Sequence, residues 1–389
     1  MKIIVMTPAV PAEGQAGFQV LAFHRVVHLA RRHQVEVVVV GNCIDQEAAA
    51  LCSMNKNISV RVFTPNIVER FFNVIKSIFR STPFQVALFR CNKAKKYLEY
   101  GLGERSIGAV YCITFRVLEN IPKLDVPIIV EFVDSMGLNF ERRAEDSALL
   151  RGLYKREACA AAKYERECVQ FADYGFVVSG IDKEYIGDAK LHILPLGVDN
   201  TIFRDRGKKQ KPSVEFEYDL IFTGNMHYKP NRDAVLWFYN NCWRQLRSRF
   251  PNLIWAIVGS SPSSEIKSLD SVKGISVTGR VESIADSLSA SRIAIAPMVS
   301  GSGMQFKVLE AMSCGMPVVV SSIGRGDIKA VSGRDLLIAD DSMEFVDIIS
   351  ELINDEKKRA KIGQSACEYV DKNHSWSAIN QKFSEACEL

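Results

Sequence analysis

The sequence predicts an α/β protein of two doubly wound domains, each built around a parallel sheet. A strand–loop–helix–strand pattern opens the chain, and the same pattern restarts near residue 218. The chain has 389 residues, which is more than a single domain with one hydrophobic core usually contains. This length is typical of two domains. With 47% hydrophobic and 24% charged residues, the composition is that of a globular protein.

The first pattern occupies the first 40 residues. Residues 2–6 form an apolar strand, and residues 8–17 form a loop that contains Gly14 and Gly17. A helix is predicted over residues 18–33, and the valine-rich run over 35–40, which Glu36 alone interrupts, is typical of a buried parallel strand. This order predicts a βαβ unit at the start of a doubly wound domain.

The second pattern comprises a strand at 218–223, a loop at 224–231, a helix at 232–250 and a strand at 253–258. Residues 205–212 are polar and charged and include Gly207 and Pro212, which favours a linker. We therefore predict an N-terminal domain over 1–203 and a C-terminal domain over 213–376. A last helix, about 377–389, is expected to return to the first domain.

A glycine-rich turn at a predicted helix start is a candidate binding site. Gly301-Ser302-Gly303 separates a strand at 293–298 from a helix at 304–314, and Gly315 follows that helix where a C′ glycine is expected. Free N–H groups and the helix dipole at such a position suit a diphosphate. Lys307 and Glu310, three residues apart, share one helix side. The same spacing also fits an ordinary solvent-exposed Lys–Glu pair.

The segment 301–319 resembles the donor-binding signature of family 4 retaining glycosyltransferases, which have the GT-B fold. Gly224-Asn225-Met226, with Tyr228 and Pro230-Asn231, resembles the exosortase-associated sugar transferases of exopolysaccharide systems. Further matches are Val277 to Val281 and Ser375-Trp376.

The resemblance implies two Rossmann-like domains that face each other across a cleft, with the N-terminal domain on the acceptor side and the C-terminal domain binding the nucleotide sugar. It implies transfer of a sugar from a UDP- or GDP-sugar to a glycan or lipid-linked acceptor in polysaccharide or glycolipid biosynthesis. It further implies retention of anomeric configuration, with the donor β-phosphate helping to deprotonate the acceptor. No metal or other cofactor is expected, because Lys307, backbone N–H groups and the helix dipole would supply positive potential at the diphosphate.

Site residues follow from the same resemblance. Glu310 matches the second Glu of the E-x7-E motif, which holds the donor ribose, and Asp134 ends a strand and would orient the reacting sugar or the acceptor hydroxyl. An equally simple interpretation of Asp134 is a helix cap or turn residue. The catalytic set is thus Asp134, Lys307 and Glu310. The donor-binding set is Gly14, Gly17, Gly224, Asn225, Lys229, Arg280, Val281, Ser302, Gly303, Met304 and Gln305, with Arg280-Val281 against the nucleobase.

Three positions depart from the family pattern. Ser302 stands where the first Glu of E-x7-E is expected, and Asn225 and Pro230 stand where the family has an Arg and a Lys. Lys229 and Lys307 are the available substitutes, and Lys307 is better placed. These departures leave open a catalytically silent nucleotide-sugar-binding scaffold of the same fold. A sugar-nucleotide epimerase is a third alternative.

A basic, aromatic helix is predicted at 67–80. Its apolar side chains recur at helical spacing, and residues 61–105 carry a net charge of +6. Either this helix lies on an anionic membrane, or its Phe stripe packs into the first domain. We predict a cytoplasmic protein, peripheral on the inner membrane face in the first case, because no apolar run suits a signal peptide or membrane span. The net charge of +4 does not favour nucleic-acid binding.

Overall fold

The computed structural model describes residues 1–12, 17–42, 45–101, 107–146, 149–199, 203, 216–300 and 305–389. By its internal contacts the chain divides into two compact units. The first comprises Met1–Pro195 together with Asn380–Leu389, and the second comprises Leu196–Ile379. The linker predicted at 205–212 lies outside the described residues.

The first unit contains a seven-stranded sheet in the order β3-β2-β1-β4-β5-β6-β7, and its strand pairs are parallel. Its strands are β1 (Lys2–Thr7), β2 (Gln34–Val40), β3 (Ile58–Phe63), β4 (Ile107–Ile113), β5 (Ile128–Glu131), β6 (Tyr174–Val177) and β7 (Leu191–Ile193). Val35 to Val40 are all buried, as the valine-rich run predicted.

Helices of the first unit are α1 (Gly17–Leu29), α2 (Asp45–Met54), α3 (Ile67–Arg80), α4 (Phe84–Phe89), α5 (Asn92–Gly101), α6 (Met136–Asp146), α7 (Arg151–Phe171) and α8 (Gly180–Ile186), with a 3₁₀ helix at Phe115–Asn120. The last helix of the chain, Trp376–Ala386, contributes its residues from Asn380 onward to this unit. Its Asn380 accepts a hydrogen bond from the buried Arg25 of α1.

The second unit contains a six-stranded sheet in the order β10-β9-β8-β11-β12-β13, again with parallel pairs. Its strands are β8 (Tyr218–Thr223), β9 (Trp255–Val258), β10 (Ile275–Gly279), β11 (Ser291–Ala296), β12 (Val318–Val320) and β13 (Leu337–Ile338). Apolar side chains cover both faces: Leu220 and Phe222 belong to one core cluster, whereas Ile221 belongs to another.

Helices of the second unit are α9 (Lys229–Phe238), α10 (Arg244–Arg249), α11 (Ser264–Ser268), α12 (Ile284–Ser289), α13 (Phe306–Ser313), α14 (Ser322–Arg325), α15 (Ser342–Asn354), α16 (Glu356–Asn373) and the start of α17 (Trp376–Ala386). A π-helical segment, Tyr239–Trp243, joins α9 to α10. The helix predicted at 232–250 therefore begins three residues earlier, at Lys229, and changes its hydrogen-bond spacing midway.

The predicted α/β class with two Rossmann-like, parallel-sheet units is confirmed. In both sheets the strand order reverses once, between β1 and β4 in the first unit and between β8 and β11 in the second. Ligands of open α/β sheets bind beyond the carboxyl ends of the strands at such a reversal. A ligand site is therefore expected in the loops that follow these four strands.

The apolar face of α3 is exposed, which corrects the expectation that its Phe stripe packs into the domain. Phe71 is 61% exposed and Phe79 is 85% exposed, and the other members of the stripe, Val68, Phe72, Ile75 and Ile78, are exposed as well. The polar side of the helix faces the protein instead. Three residues on that side form hydrogen bonds with backbone or side-chain groups of neighbouring segments: Glu69, Asn73 and Ser77.

Within the described part of the chain, every helix is too short or too polar to cross a bilayer.

Candidate functional site

Lys307 is held at the carboxyl edge of the second sheet by three contacts. Its Nζ donates a hydrogen bond to Oδ1 of Asn231, lies 3.5 Å from Sδ of Met298 and lies 4.7 Å from the centroid of the Phe222 ring. Phe222 belongs to β8 and Met298 follows β11, so the amine lies where the strand order reverses. The ammonium group is therefore fixed at the position where the fold is expected to bind a ligand.

Asn231 is a site residue that the sequence analysis did not include. It is buried near the start of α9, and its Nδ2 donates to the backbone oxygen of Asn225 at 2.9 Å. The same side chain accepts from Lys307, so one amide connects the loop after β8 to α13. In the sequence, Asn231 was noted only with Pro230 in the resembling segment, and its position at a helix start is also typical of a structural cap.

Two glycines allow the loops after β8 and β9 to meet. A Cβ on Gly259, which has φ +151°, would lie 1.7 Å from the backbone oxygen of Gly224, and a Cβ on Gly224 would lie 2.7 Å from Nδ2 of Asn231. A side chain at Gly259 would force the two loops apart, and a side chain at Gly224 would displace the amide of Asn231. The predicted site residue Gly224 thus acts by letting the backbone approach Asn231 closely.

Glu310 lies on α13 one turn from Lys307, and the two side chains are both only partly exposed. Burial raises the pKa of the Glu310 carboxyl to about 7, and the charge of Lys307 opposes that shift. Burial lowers the pKa of the Lys307 ammonium to about 8, opposed in turn by Glu310. The ordinary solvent-exposed Lys–Glu pair is therefore not what the structure contains.

The start and end of α13 agree with the predicted strand–turn–helix–strand pattern. Gln305 is buried immediately before the helix, and its side chain makes no cap hydrogen bond. Its backbone oxygen accepts from the N–H of Val308 at 3.0 Å. At the other end Gly315 has φ +71°, as a C′ glycine requires. Ser302, Gly303 and Met304, together with Gly14, lie outside the described residues.

The remaining donor-binding predictions lie on the same edge of the second sheet. Arg280 is exposed and directly follows β10, whereas Val281 packs against buried side chains of the core. The N–H of Gly259 donates to the oxygen of Gly279 at 3.0 Å, which joins the end of β10 to the loop after β9. Lys229 is exposed at the first position of α9, away from the contacts that hold Lys307.

In the first unit, Asp134 lies in the turn between β5 and α6. Its side chain is exposed, yet the surrounding protein atoms and the nearby Asp182 carboxylate raise its pKa to about 6. The turn itself is fixed by two buried carboxylates: the N–H of Ser135 donates to Asp182 at 2.8 Å, and the N–H of Met136 donates to Glu165 at 2.6 Å. Asp134 is therefore a turn residue with a perturbed carboxyl group.

Gly17, the other first-domain glycine of the predicted site, begins α1 at the carboxyl side of β1. Groups of three or more His, Cys, Asp or Glu arranged to hold a metal ion are absent from the described residues. The absence of a metal requirement remains a prediction.

The chain is similar to glycosyltransferases in part of its sequence and in its fold. Residues 217–355 match the family model described as Glycosyl transferases group 1. An uncharacterised glycosyltransferase of Methanocaldococcus jannaschii is 25% identical over 232 residues, which is 56% of this chain and 58% of the relative. An uncharacterised 44.6 kDa protein of the cps region of Klebsiella pneumoniae is 25% identical over 175 residues, 41% of this chain and 45% of that protein. The chain thus spans about half the length of the curated relatives it matches.

Among solved structures, Anabaena HepE in complex with UDP has a TM-score of 0.66 and 16% identity, with 100% of both chains covered. HepE has also been solved in complex with UDP-glucose. At this identity the likeness shows the fold, which has two parallel-sheet, Rossmann-like domains, as GT-B glycosyltransferase structures do. Together with the family match, it supports the resemblance to GT-B glycosyltransferases that the sequence indicated.

Proposed function

We propose that this chain is a glycosyltransferase that moves a sugar from a nucleoside diphosphate to an acceptor hydroxyl. The observation that carries the proposal is the fixed ammonium of Lys307 beside the carboxyl of Glu310 at the strand-order reversal of the second sheet. A cation at that position can neutralise a diphosphate, and a carboxylate one turn away can accept hydrogen bonds from ribose hydroxyls. The group 1 family match over this unit supports the same activity.

UDP is the nucleotide we propose for the donor, with GDP as the alternative. HepE, whose fold this chain shares, was solved with UDP and with UDP-glucose. We propose that Arg280 and Val281 contact the base and that Gly224 and Asn225 form the loop beside the diphosphate. The segment 302–304 would complete the phosphate site.

The proposed reaction retains anomeric configuration and needs no enzyme nucleophile. The acceptor oxygen bonds to the anomeric carbon as the bond from that carbon to the β-phosphate oxygen breaks, and the acceptor proton passes to the β-phosphate of the departing nucleoside diphosphate. Lys307 stabilises the charge that develops on the leaving group. Asp134 would orient the acceptor hydroxyl, and no metal is required in this proposal.

The silent scaffold is the less favoured alternative. Loss of the family's Arg and Lys at Asn225 and Pro230 motivated it, because those residues steady the leaving diphosphate in the resembling enzymes. Lys307, however, is held in place by its hydrogen bond to Asn231 and by its contact with the Phe222 ring, so a fixed cation is still present. We therefore propose an active enzyme of the kind that assembles polysaccharide or glycolipid, close to the exosortase-associated sugar transferases.

We propose further that the chain works on the inner face of a membrane and that α3 contacts that surface. The exposed apolar stripe of this helix is flanked by basic side chains, and Lys76 and Arg80 are exposed on the helix itself. Lysines 93 and 96 of α5 are exposed as well. Aromatic side chains that insert at the lipid interface, combined with positive charge, match an anionic bilayer. A lipid-linked acceptor would be available at the same surface.

The first experiment is a thermal-shift panel with UDP, GDP, ADP, TDP and CMP. It compares the wild type with Glu310→Ala and with the control Glu368→Ala, which removes an exposed carboxylate from α16. We expect one nucleoside diphosphate to stabilise the wild type and the control but not the Glu310 variant. No shift with any nucleotide would contradict the proposed donor site.

Turnover is tested next with the sugar nucleotide of the base that binds and a panel of glycan and lipid-linked acceptors. NMR of the product gives the anomeric configuration, and an inverted product would contradict the retaining mechanism. Nucleotide binding without transfer to any acceptor would favour the scaffold, whereas conversion of the sugar nucleotide without an acceptor would favour an epimerase.

A further inference from the structure

Just beyond the carboxyl end of β4 in the first unit lie two buried polar groups that have no hydrogen-bond partner among the described residues. Thr114 directly follows β4 and is 6% exposed, and its hydroxyl oxygen has no hydrogen-bond partner among the described residues. Arg116 lies two residues later, in the 3₁₀ helix, and its Nε is also buried without a partner there. Because buried polar groups are nearly always paired, a ligand is the natural source of the missing partner.

The charge of Arg116 is likewise uncompensated. No carboxylate of the described residues lies within 4.0 Å of it as an ion pair, and its Nη2 lies 3.8 Å from the thioether sulfur of Met136. Burial, together with the charge of Arg143, lowers the pKa of the Arg116 guanidinium. An arginine remains protonated in proteins, so a half-buried cation here favours a bound anion.

The backbone at this edge is held in an uncommon conformation. Thr114 has φ +66° and Val133, just after β5, has φ +69°. Positive φ is costly for β-branched residues and is found where surrounding contacts enforce it. The N–H of Thr114 donates to the oxygen of Glu131 at 2.8 Å, which ties the two strained ends together. This hydrogen bond holds Thr114 against the end of β5, two residues before Arg116.

We propose that Thr114 and Arg116 bind an oxyanion, a carboxylate or phosphate group carried by the acceptor. A guanidinium can donate two parallel hydrogen bonds to such a group, and the threonine hydroxyl can add a third. β4 borders the strand-order reversal of the first sheet, and Asp134 follows the neighbouring strand. That the ligand is an acceptor rests on the proposed transferase function, whereas oxyanion binding does not.

Two sources carry this chemistry, a uronic acid residue of a glycan and the phosphate of a lipid-linked sugar. The probes are glucuronate for the first and inorganic pyrophosphate for the second. Binding is measured by isothermal titration calorimetry on the full chain carrying Lys307→Met, so that the second unit does not contribute a cation. Arg116→Gln is compared with Arg32→Gln, which removes an exposed arginine before β2, at the amino edge of the same sheet.

We expect one probe to bind, and we expect Arg116→Gln to weaken that binding at least about tenfold while Arg32→Gln leaves it unchanged. Binding of glucuronate identifies a uronate acceptor, and binding of pyrophosphate identifies a phosphate. Thr114→Val provides a second variant, with circular dichroism as the check on folding, and should weaken binding less than Arg116→Gln. Absence of binding by both probes, or equal binding by the Arg116→Gln and Arg32→Gln proteins, would overturn the proposal.

The two proposals fail separately. If the transferase proposal is correct, UDP should stabilise the Arg116→Gln protein as it does the wild type, because Lys307, Glu310, Arg280 and Val281, which we propose hold the nucleotide, belong to the second unit. If no nucleotide binds any form of the chain but a probe binds through Arg116, the donor assignment is wrong and the oxyanion site stands.

Discussion

The ammonium nitrogen of Lys307 lies 4.7 Å from the centroid of the Phe222 ring. This contact joins α13 to β8, and Asn231 completes it by accepting a hydrogen bond from the same nitrogen. A lysine that rests on an aromatic face and on an amide oxygen keeps its charge without a carboxylate at its tip. An ammonium group has three N–H donors, so Lys307 can donate to an anionic ligand as well as to Asn231.

Asn231→Ala should lower kcat/KM about tenfold or more, because Lys307 loses the group that positions it. Lys307→Met should cost a factor of ~10²–10³, because the leaving group loses its cation. If Asn231 acts through Lys307, the double variant should be no slower than Lys307→Met alone. Steady-state kinetics of the four proteins measure this, and fully additive losses would show that the two residues act separately.

Binding of the nucleoside diphosphate should be tightest between about pH 7 and pH 8. Below that range Glu310, whose pKa burial raises to about 7, becomes protonated and stops accepting from the ribose hydroxyls. Above it Lys307, whose pKa burial lowers to about 8, loses its charge. Calorimetric titrations at constant ionic strength across pH 5.5–9.5 would give the profile.

The control for that profile is Glu310→Gln. The terminal phosphate of the ligand also titrates, at about pH 6, so an acid limb is expected from the ligand alone. In Glu310→Gln the loss of binding affinity near pH 7 should disappear. The loss of affinity at alkaline pH, which comes from deprotonation of Lys307, should persist. An unchanged profile in this variant would mean that Glu310 does not contact the nucleotide.

Replacing Phe71 and Phe72 with Ser should abolish co-sedimentation with vesicles that contain phosphatidylglycerol. Both rings are exposed, at 61% and 54%, so the change removes apolar contact with lipid and little from the core. Leu149→Ser with Met343→Ser is the matched control, because those side chains are 93% and 68% exposed elsewhere. Wild-type binding should weaken with added salt and on neutral phosphatidylcholine vesicles. Equal binding by all three proteins would rule out α3 as the membrane contact.

Glu131→Gln should lower the free energy of unfolding by about 3–5 kcal/mol. Nε and Nη2 of Arg25 donate to the two oxygens of Glu131 at 3.2 and 3.1 Å, and both side chains are fully buried. The variant leaves the arginine charge without a counter-ion. Asp347→Asn, which breaks a pair with Arg249 between half-exposed side chains, should cost less than about 1 kcal/mol. Urea denaturation measures the free energy of unfolding of both variants. Similar losses in the two would contradict the stabilising role that we assign to the buried Arg25–Glu131 pair.

Much of the fold could be predicted from the sequence because it depends on local chemistry. The strand predicted at 218–223 is the strand observed, and Gly315 has the positive φ that a C′ glycine needs. Runs of β-branched residues and glycines at helix ends act over a few residues, so their pattern carries the information. The π-helical change at Tyr239–Trp243 was missed because it has no comparable local signal.

The candidate site was predictable only in part. Lys307 and Glu310 could be chosen because they share a helix side near a glycine-rich turn, which is a matter of spacing. Asn231 could not, since its partner Lys307 is 76 residues away and only the packing of α9 against the sheet brings the two together. The unpartnered groups of Thr114 and Arg116 were also missed, because the lack of a partner is a property of the folded surroundings.

The sequence by itself determined that 67–80 is an amphipathic helix with a basic, aromatic character, because spacing along a helix fixes which side chains share a face. It did not determine which face meets the protein. Only the tertiary structure decided that, since Glu69, Asn73 and Ser77 find hydrogen-bond partners in neighbouring segments and the Phe side is left exposed. The same holds for the rest of the chain. The periodicity of apolar side chains follows from the order of residues, whereas the partner of each side chain depends on residues that are far away in sequence.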